Sequence, residues 1–294
     1  MRQNDPGFWA ALWRRAREEP PVARRRCRNE AESIAHWSRR ASRFARQTGG
    51  TRGGGGYAEA LRFLEYEEAL KPGVSVLDIG AGTGNMALPM ARLGAQVTAL
   101  EPAEKMREIL ERRAVAEGVT GVGILAAAWQ DVDLIRDGME RGFDLVVASM
   151  TPGIREPEDL HKMLAASRRY CYYSAYSGER WDGAQRDLWR VFFDGEELSG
   201  NPGDIIYPFN YLYALGYRPV LRFDFENRVR EGPLEDAVDE LCQFFWQYMD
   251  ITDEVQRTIA EYVGKHSIDG VFRRESIICR GMMVWRVDRR PGFG

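Results

Sequence analysis

Residues 74–85 read Val74-Ser75-Val76-Leu77-Asp78-Ile79-Gly80-Ala81-Gly82-Thr83-Gly84-Asn85. The apolar run Val74, Val76, Leu77 and Ile79 predicts a short buried strand, and the three glycines predict a tight turn. Met86, Ala87, Met90 and Leu93 then recur at helical spacing. A strand, a glycine turn and a helix in that order let a ligand approach the backbone, with its polar end near a helix N-terminus.

The spacing discriminates between ligands. A dinucleotide fingerprint needs G-x-G-x-x-G, whereas here the third glycine comes one residue early and Asn85 stands in its place. Asp78, two residues before the first glycine, would repel a pyrophosphate but suits a ligand with a cationic amino group. The D-x-G-x-G-x-G string resembles the first motif of class I S-adenosylmethionine-dependent methyltransferases.

Working outward, Ala95-Gln-Val-Thr-Ala-Leu100 predicts the next buried strand, ending in Glu101 and Pro102. An acid at a strand's carboxyl tip can accept hydrogen bonds from two ribose hydroxyls. Glu101-Pro102-Ala-Glu-Lys-Met106 is similar to the E-P-S-x-x-M string of that superfamily, and Phe143-Asp-Leu-Val-Val-Ala-Ser149 resembles its fourth strand. The resemblance covers residues 30–176 well and the remainder in outline. It implies a doubly wound, mostly parallel seven-stranded α/β sheet that binds S-adenosylmethionine. Asp78, Gly80, Ala81, Gly82, Gly84 and Asn85 would line the methionine end, with Asp78 orienting backbone donors or the amino group. Glu101, Pro102 and Met106 would lie along the ribose.

For adenine the family commonly offers an acid after the third strand, but this chain has Leu125-Ala-Ala-Ala128-Trp129-Gln130-Asp131. Recognition would then fall to the backbone around Ala128, Trp129 and Gln130, with Asp131 as a second possibility. Trp129 is either core or an adenine-packing wall. Upstream, His36-Trp37-Ser-Arg-Arg40-Ala-Ser-Arg-Phe44 resembles the Y-W-x-x-R-A-x-x-Y lid helix of many members. That likeness implies that Trp37 closes over the methionine end and Arg40 pairs with its carboxylate. His36 replaces the usual tyrosine.

After strand four, Ser149-Met150-Thr151-Pro152 is not the (D/N)-P-P-(Y/F) string of amino-group methyltransferases acting on DNA or protein glutamine, so those substrates are disfavoured. Ser149, Met150 and Thr151 would border the methyl path. Aromatic residues concentrate between 170 and 217, with Tyr176 and Trp181 just past strand five, where family acceptor pockets form. Tyr176, Glu179 and Asp204 are candidate bases by position only, and Thr151 and Tyr176 are the catalytic candidates.

Composition agrees with a soluble globular protein: 294 residues, 44% hydrophobic and 29% charged. No apolar run approaches membrane-span length, and the first residues lack a signal-peptide pattern, so cytoplasmic residence is expected. Four scattered cysteines read as buried free thiols, and with only three histidines no metal centre is expected. The net charge of −3 conceals an asymmetry: residues 1–52 hold 13 Arg against 5 Asp/Glu, or +8, leaving −11 elsewhere. That segment could contact nucleic acid or an anionic substrate, dock on the acidic body, or be a solvated helix face.

The predicted organisation is an N-terminal helical lid and glycine hinge over 1–56, followed by a methyltransferase domain over 57–294. Helices are expected from Pro6, over 29–47 and over 57–70. Strands are expected near 74–79, 96–101, 122–126, 142–149, 169–175, 217–228 and 275–287. About 45 residues separate the last two strands, more than a loop needs, so a helical insertion is expected over 230–275. The leading expectation is methyl transfer to a small or medium-sized metabolite. A tRNA methyltransferase and a non-catalytic S-adenosylmethionine-binding protein are the alternatives.

Overall fold

The computed structural model describes residues 4–48 and 55–289; the glycine-rich hinge expected over 49–56 falls, for residues 49–54, outside them. Seven strands form one sheet in the order β3-β2-β1-β4-β5-β7-β6. They are β1 (Ser75–Ile79), β2 (Gln96–Leu100), β3 (Val122–Leu125), β4 (Phe143–Ser149), β5 (Ser167–Ser177), β6 (Val220–Pro233) and β7 (Val271–Arg286). The pairs within β1–β5 are parallel, and β7 runs antiparallel to both β5 and β6. This is the doubly wound sheet expected from the glycine turn and the strand–helix alternation.

Alternation along the central strands builds two cores. Leu77, Val146, Ala148, Cys171, Tyr173, Met283 and Trp285 face one side. There they meet Trp13 of α1 (Pro6–Glu18), Leu160 and Met163 of α7 (Pro157–Ala166) and Leu212 of α9 (Ile206–Ala214). Val76, Leu145, Val147, Tyr172, Met282 and Val284 face the other side. Their partners are Phe63 and Leu64 of α4 (Gly55–Tyr66), Leu88 and Met90 of α5 (Ala87–Arg92), and Leu110 of α6 (Glu104–Ala116). Strands buried on both faces read as near-continuous apolar runs, which is why β1 and β4 were legible.

A third cluster stands apart from the sheet centre. It joins α8 (Gly183–Phe192), α10 (Leu234–Phe245) and α11 (Asp253–Lys265) through Trp189, Leu241, Phe245 and Ile259. Val22 of the short α2 (Pro21–Arg24) packs against it. Arg274 of β7 is buried and ion-paired with Asp182, the N-cap of α8, and with Glu240 of α10. This triad pins the helical module to the sheet's last strands.

Several boundaries differ from the expectation. β6 begins at Val220 rather than 217, because the Tyr217 amide bonds Leu212 at the end of α9 and Pro219 has no N–H to give a ladder. β6 and β7 then pair as far as Pro233 and Val271. Residues 230–233 and 271–275 therefore belong to a ribbon, and only α10 and α11 are helical. Charged residues on both sides of the ribbon (Arg228, Arg230, Arg273, Glu275) hid it from an apolar pattern. The third N-terminal helix, α3 (Glu30–Thr48), starts with a reciprocal cap: Asn29 and Glu32 each accept the other's backbone amide at 2.9 Å. α4 ends four residues short of the expected Leu70. Of the four thiols only Cys171 is buried; Cys27 is exposed and the other two are half-buried.

Five of the eleven described arginines of the basic N-terminal segment dock on carboxylates of the body. Arg14 pairs with Glu158, Arg24 and Arg25 with Glu196, Arg28 with Asp250, and Arg43 with Asp236, Asp239 and Glu240. α3 also lies on α6 through Ala41, Met106 and Ile109, and Ser38 Oγ accepts the Lys105 amide at 3.1 Å. His36 stacks flat on Trp246 at 4.1 Å.

Candidate functional site

The turn after β1 is tied to the end of β2. Gly80 and Ala81 donate their amides to the Leu100 carbonyl at 2.8 and 3.0 Å. Gly82 donates to Glu101 Oε2 at 2.9 Å, and Ala103 donates to Glu101 Oε1 at 2.8 Å. Burial raises the Glu101 pKa, against the opposing pull of these two amides and of Arg107. Each carboxylate oxygen retains accepting capacity beyond its one amide.

Asp78 lies deeper. It is 2% exposed, and its Oδ2 has no hydrogen-bond partner. Burial first, and then the neighbouring Glu101 charge, push its pKa up to about 7, while the Ala87 amide opposes the shift. Two carboxyl groups thus flank one glycine turn with no cation paired to Asp78 among the described residues. A buried polar atom without a partner is costly, and such an atom beside a concave backbone is a place where a ligand's donor fits.

The three glycines have φ of +70, +56 and +86°, and their surroundings separate their roles. A side chain on Gly80 would overlap Thr151 Oγ1, and one on Gly84 would overlap Leu110 of α6. Those two positions permit packing. A Cβ on Gly82 meets only Phe44 Cε1, at 4.0 Å. The open space lies there, between the turn and α3.

Phe44 stands edge-on to Trp37, with ring centroids 5.8 Å apart, so the two aromatics form a wall opposite Gly82. Trp37 is therefore brought to the site. Arg40 sits 5.9 Å over the Trp37 ring, where Arg43, Asp239 and Glu240 surround it. With Arg230 of β6, its charged neighbours thus come from α3, α10 and β6 rather than from the turn. Phe44 was present in the lid-like string but carried no assigned role. Tyr57 was also missed: its hydroxyl engages Asn85 and lies in the field of Arg280 and Asp78. Only spatial proximity reveals it, because it precedes the strand by a whole helix. Asn85 in turn accepts from Arg113 at 2.9 Å.

The adenine-side residues are less accessible than expected. Trp129 is 2% exposed and belongs to the core; its indole donates to the Asp159 carbonyl at 3.1 Å, so the ring is not an open wall. Gln130 donates to the Gly153 carbonyl and to Asp159 Oδ1, and Ala128 is buried. Met106 packs under α3, and Pro102 is half-buried beside Glu101.

At the end of β4, Ser149 Oγ lies 3.1 Å from Ser174 Oγ, and Met150 adopts φ +51° with its amide on the Ser174 carbonyl. A non-glycine residue in that region is strained, and here the strain turns the chain so that Thr151 sits against Gly80. Tyr176, at the end of β5, is half-buried with Arg180 stacked 4.1 Å over its ring. The other positional base candidates are engaged elsewhere: Glu179 pairs with Arg186, and Asp204 accepts the Gly178 and Ile206 amides. Among the described residues there is no group of three or more His, Cys, Asp or Glu side chains able to hold a metal. No described helix is long and apolar enough to cross a membrane.

Residues 76–172 match the family model of a methyltransferase domain. A stretch of 62 residues is 46% identical to a ubiquinone biosynthesis O-methyltransferase of Methylocella silvestris, covering 21% of this chain and 24% of that protein. A stretch of 102 residues is 32% identical to a 23S rRNA (uracil(1939)-C(5))-methyltransferase of Acidithiobacillus ferrooxidans, covering 29% and 22%. The chain spans less than a quarter of the length of these relatives. In three dimensions it is similar to a protein of Bacillus halodurans C-125 taken to be a methyltransferase, with a TM-score of 0.51 at 14% identity over 79% of this chain and 99% of that one. That likeness concerns the fold.

Proposed function

We propose that this chain, a member of the class I S-adenosylmethionine-dependent methyltransferase superfamily, transfers a methyl group to a small or medium-sized acceptor by in-line displacement. The observation that carries this reading is the pair of buried carboxyl groups, Asp78 and Glu101, flanking the open Cα of Gly82. The pair is complementary to a ligand with a cationic end and a ribose. Asp78 receives the ammonium, Glu101 takes the ribose hydroxyls, and Gly82 leaves room for the chain between them. Trp37 and Phe44 cover the opening from α3.

When bound, S-adenosylmethionine supplies a methyl group on a sulfonium, which leaves as a neutral thioether without acid assistance. The protein's part is then alignment and exclusion of water. Thr151, against Gly80, and Tyr176, at the neighbouring strand end, border the acceptor space. Tyr176 is the positional base candidate not committed to a backbone amide or an ion pair, and its hydroxyl engages the Arg228 guanidinium. The docking of the N-terminal arginines on body carboxylates favours a small acceptor, because an RNA substrate needs an open basic groove.

Incubation with methyl-tritiated S-adenosylmethionine and size-separated cell extract tests the reading. Label is expected in the low-molecular-weight fraction. Label in RNA would reverse the assignment of substrate class. Cofactor binding with no label in any fraction would make the chain a non-catalytic binder.

A further inference from the structure

Six of the eleven described N-terminal arginines end in a carboxylate; Arg17 does not, and neither does Arg180 after β5. Arg17 of α1 and Arg180, just after β5, are half-buried, and neither forms an ion pair or a hydrogen bond with any described residue. Arg180 lies against two rings, its Cζ 4.1 Å from the centroid of Tyr176 and 4.8 Å from that of Trp181. Arg17 lies in the field of Tyr173 on β5 and of Arg155, which follows the loop after β4. Arg26 acts on both, and its own partners are neutral: Gln247 Oε1 at 3.4 Å and the Tyr248 hydroxyl.

The nearby acids do not neutralise this group. Asp204 is spent on backbone amides. Glu226 pairs with Arg228 and Arg280 on the ribbon, and Glu156 is exposed. Aromatic faces offset only part of the cost of withdrawing a guanidinium from water, so positions that keep one with no acid paired to it are suited to an anion supplied from outside. Burial lowers the pKa of both Arg17 and Arg180, as expected for desolvated cations, yet arginine stays charged. Tyr176 follows by two residues Ser174 of β5, which pairs with Ser149 at the end of β4. Arg180, over the Tyr176 ring, therefore stands at the strand ends that lead to Thr151.

We propose that the methyl acceptor carries a carboxylate or phosphate group, and that Arg17, Arg26 and Arg180 receive it. The planar fork of Arg180, fixed on its aromatic bed, presents its N–H groups for a bidentate pair. This inference rests on the methyl-transfer reading.

Calorimetric titration of the full chain, saturated with S-adenosylhomocysteine, with inorganic pyrophosphate and separately with citrate tests it. One-to-one binding of at least one anion is expected, weakened about tenfold or more in both Arg17→Gln and Arg180→Gln. Preference for pyrophosphate or for citrate distinguishes phosphate from carboxylate. No binding of either at millimolar concentration, or unchanged affinity in both variants, overturns the proposal. If Arg180→Gln loses its fold by circular dichroism, Arg17→Gln alone decides. Failure of S-adenosylhomocysteine to bind the wild type would disprove the methyl-transfer reading and this inference with it. Its binding without an anion site overturns this inference alone.

Discussion

The Gly82 amide donates to Glu101 Oε2 at 2.9 Å, so the middle of the glycine turn and the tip of the second strand form one unit. Glu101 is thereby aimed before any ligand arrives. Its second oxygen is held by the Ala103 amide at the start of α6, which fixes both ends of the carboxylate. Preorganisation of this kind reduces the ordering cost of binding.

Substitutions at the three glycines are expected to have separable effects. Gly80→Ala and Gly84→Ala place a methyl group onto Thr151 or Leu110 and should lower stability by about 1–3 kcal/mol through overpacking and strain. In Gly82→Val the added Cβ meets only Phe44, so the change should cost less in packing while abolishing cofactor binding. Urea melts combined with cofactor titration read both quantities. Full cofactor affinity in Gly82→Val would remove the open face of the turn from the site.

Asp78 makes cofactor binding pH-dependent. Its folded pKa of about 7 lies above the usual carboxylate value, so the empty protein holds a proton on Asp78 below pH 7. Folding alone therefore loses stability as pH rises from about 4 towards 7, where the unfolded carboxylate is already ionised. A cationic ligand reverses the preference and favours the ionised form. Affinity should fall by up to about tenfold per pH unit below 7, and Asp78→Asn should flatten the profile. Calorimetry between pH 5.5 and 8 checks this, and an identical slope in wild type and variant would refute the role.

The seat of α3 on α10 should loosen in acid. Burial, with Arg40 and Arg39 nearby, lowers the His36 pKa to about 4, against an ordinary value of 6.5. The neutral ring stacked on Trp246 contributes fully above pH 6.5, and its contribution is lost as pH falls from 6.5 to 4. The ring is half-exposed, so the loss is discounted to about 1–2 kcal/mol. Thermal unfolding of wild type and His36→Asn at pH 7 and 4.5 measures it. Parallel curves would show that the stack is not pH-sensitive.

The central sheet was legible because β1, β2 and β4 are short, mostly apolar and largely buried, with Gly80–Gly84 marking the crossover. The ribbon beyond Arg228 was not, since its residues alternate charges across an exposed hairpin whose pairing depends on β7, far along the chain. At the site, Asp78 and Glu101 could be found from their offsets to the glycines. Trp129 could not be resolved from sequence: core and ligand wall demand the same residue type, and only its indole bond to the Asp159 carbonyl distinguishes them. Tyr57 left no local signal, because it reaches the turn from α4.

The most direct measurement is calorimetric titration of the wild-type chain and Glu101→Ala with S-adenosylhomocysteine, without added metal. Wild type is expected to bind one equivalent saturably, and Glu101→Ala to bind about 1–3 kcal/mol more weakly, the scale for leaving hydroxyl partners unpaired. No heat of binding in wild type, or equal affinity in the two proteins, would contradict the assignment of the Gly82–Glu101 unit as the cofactor site.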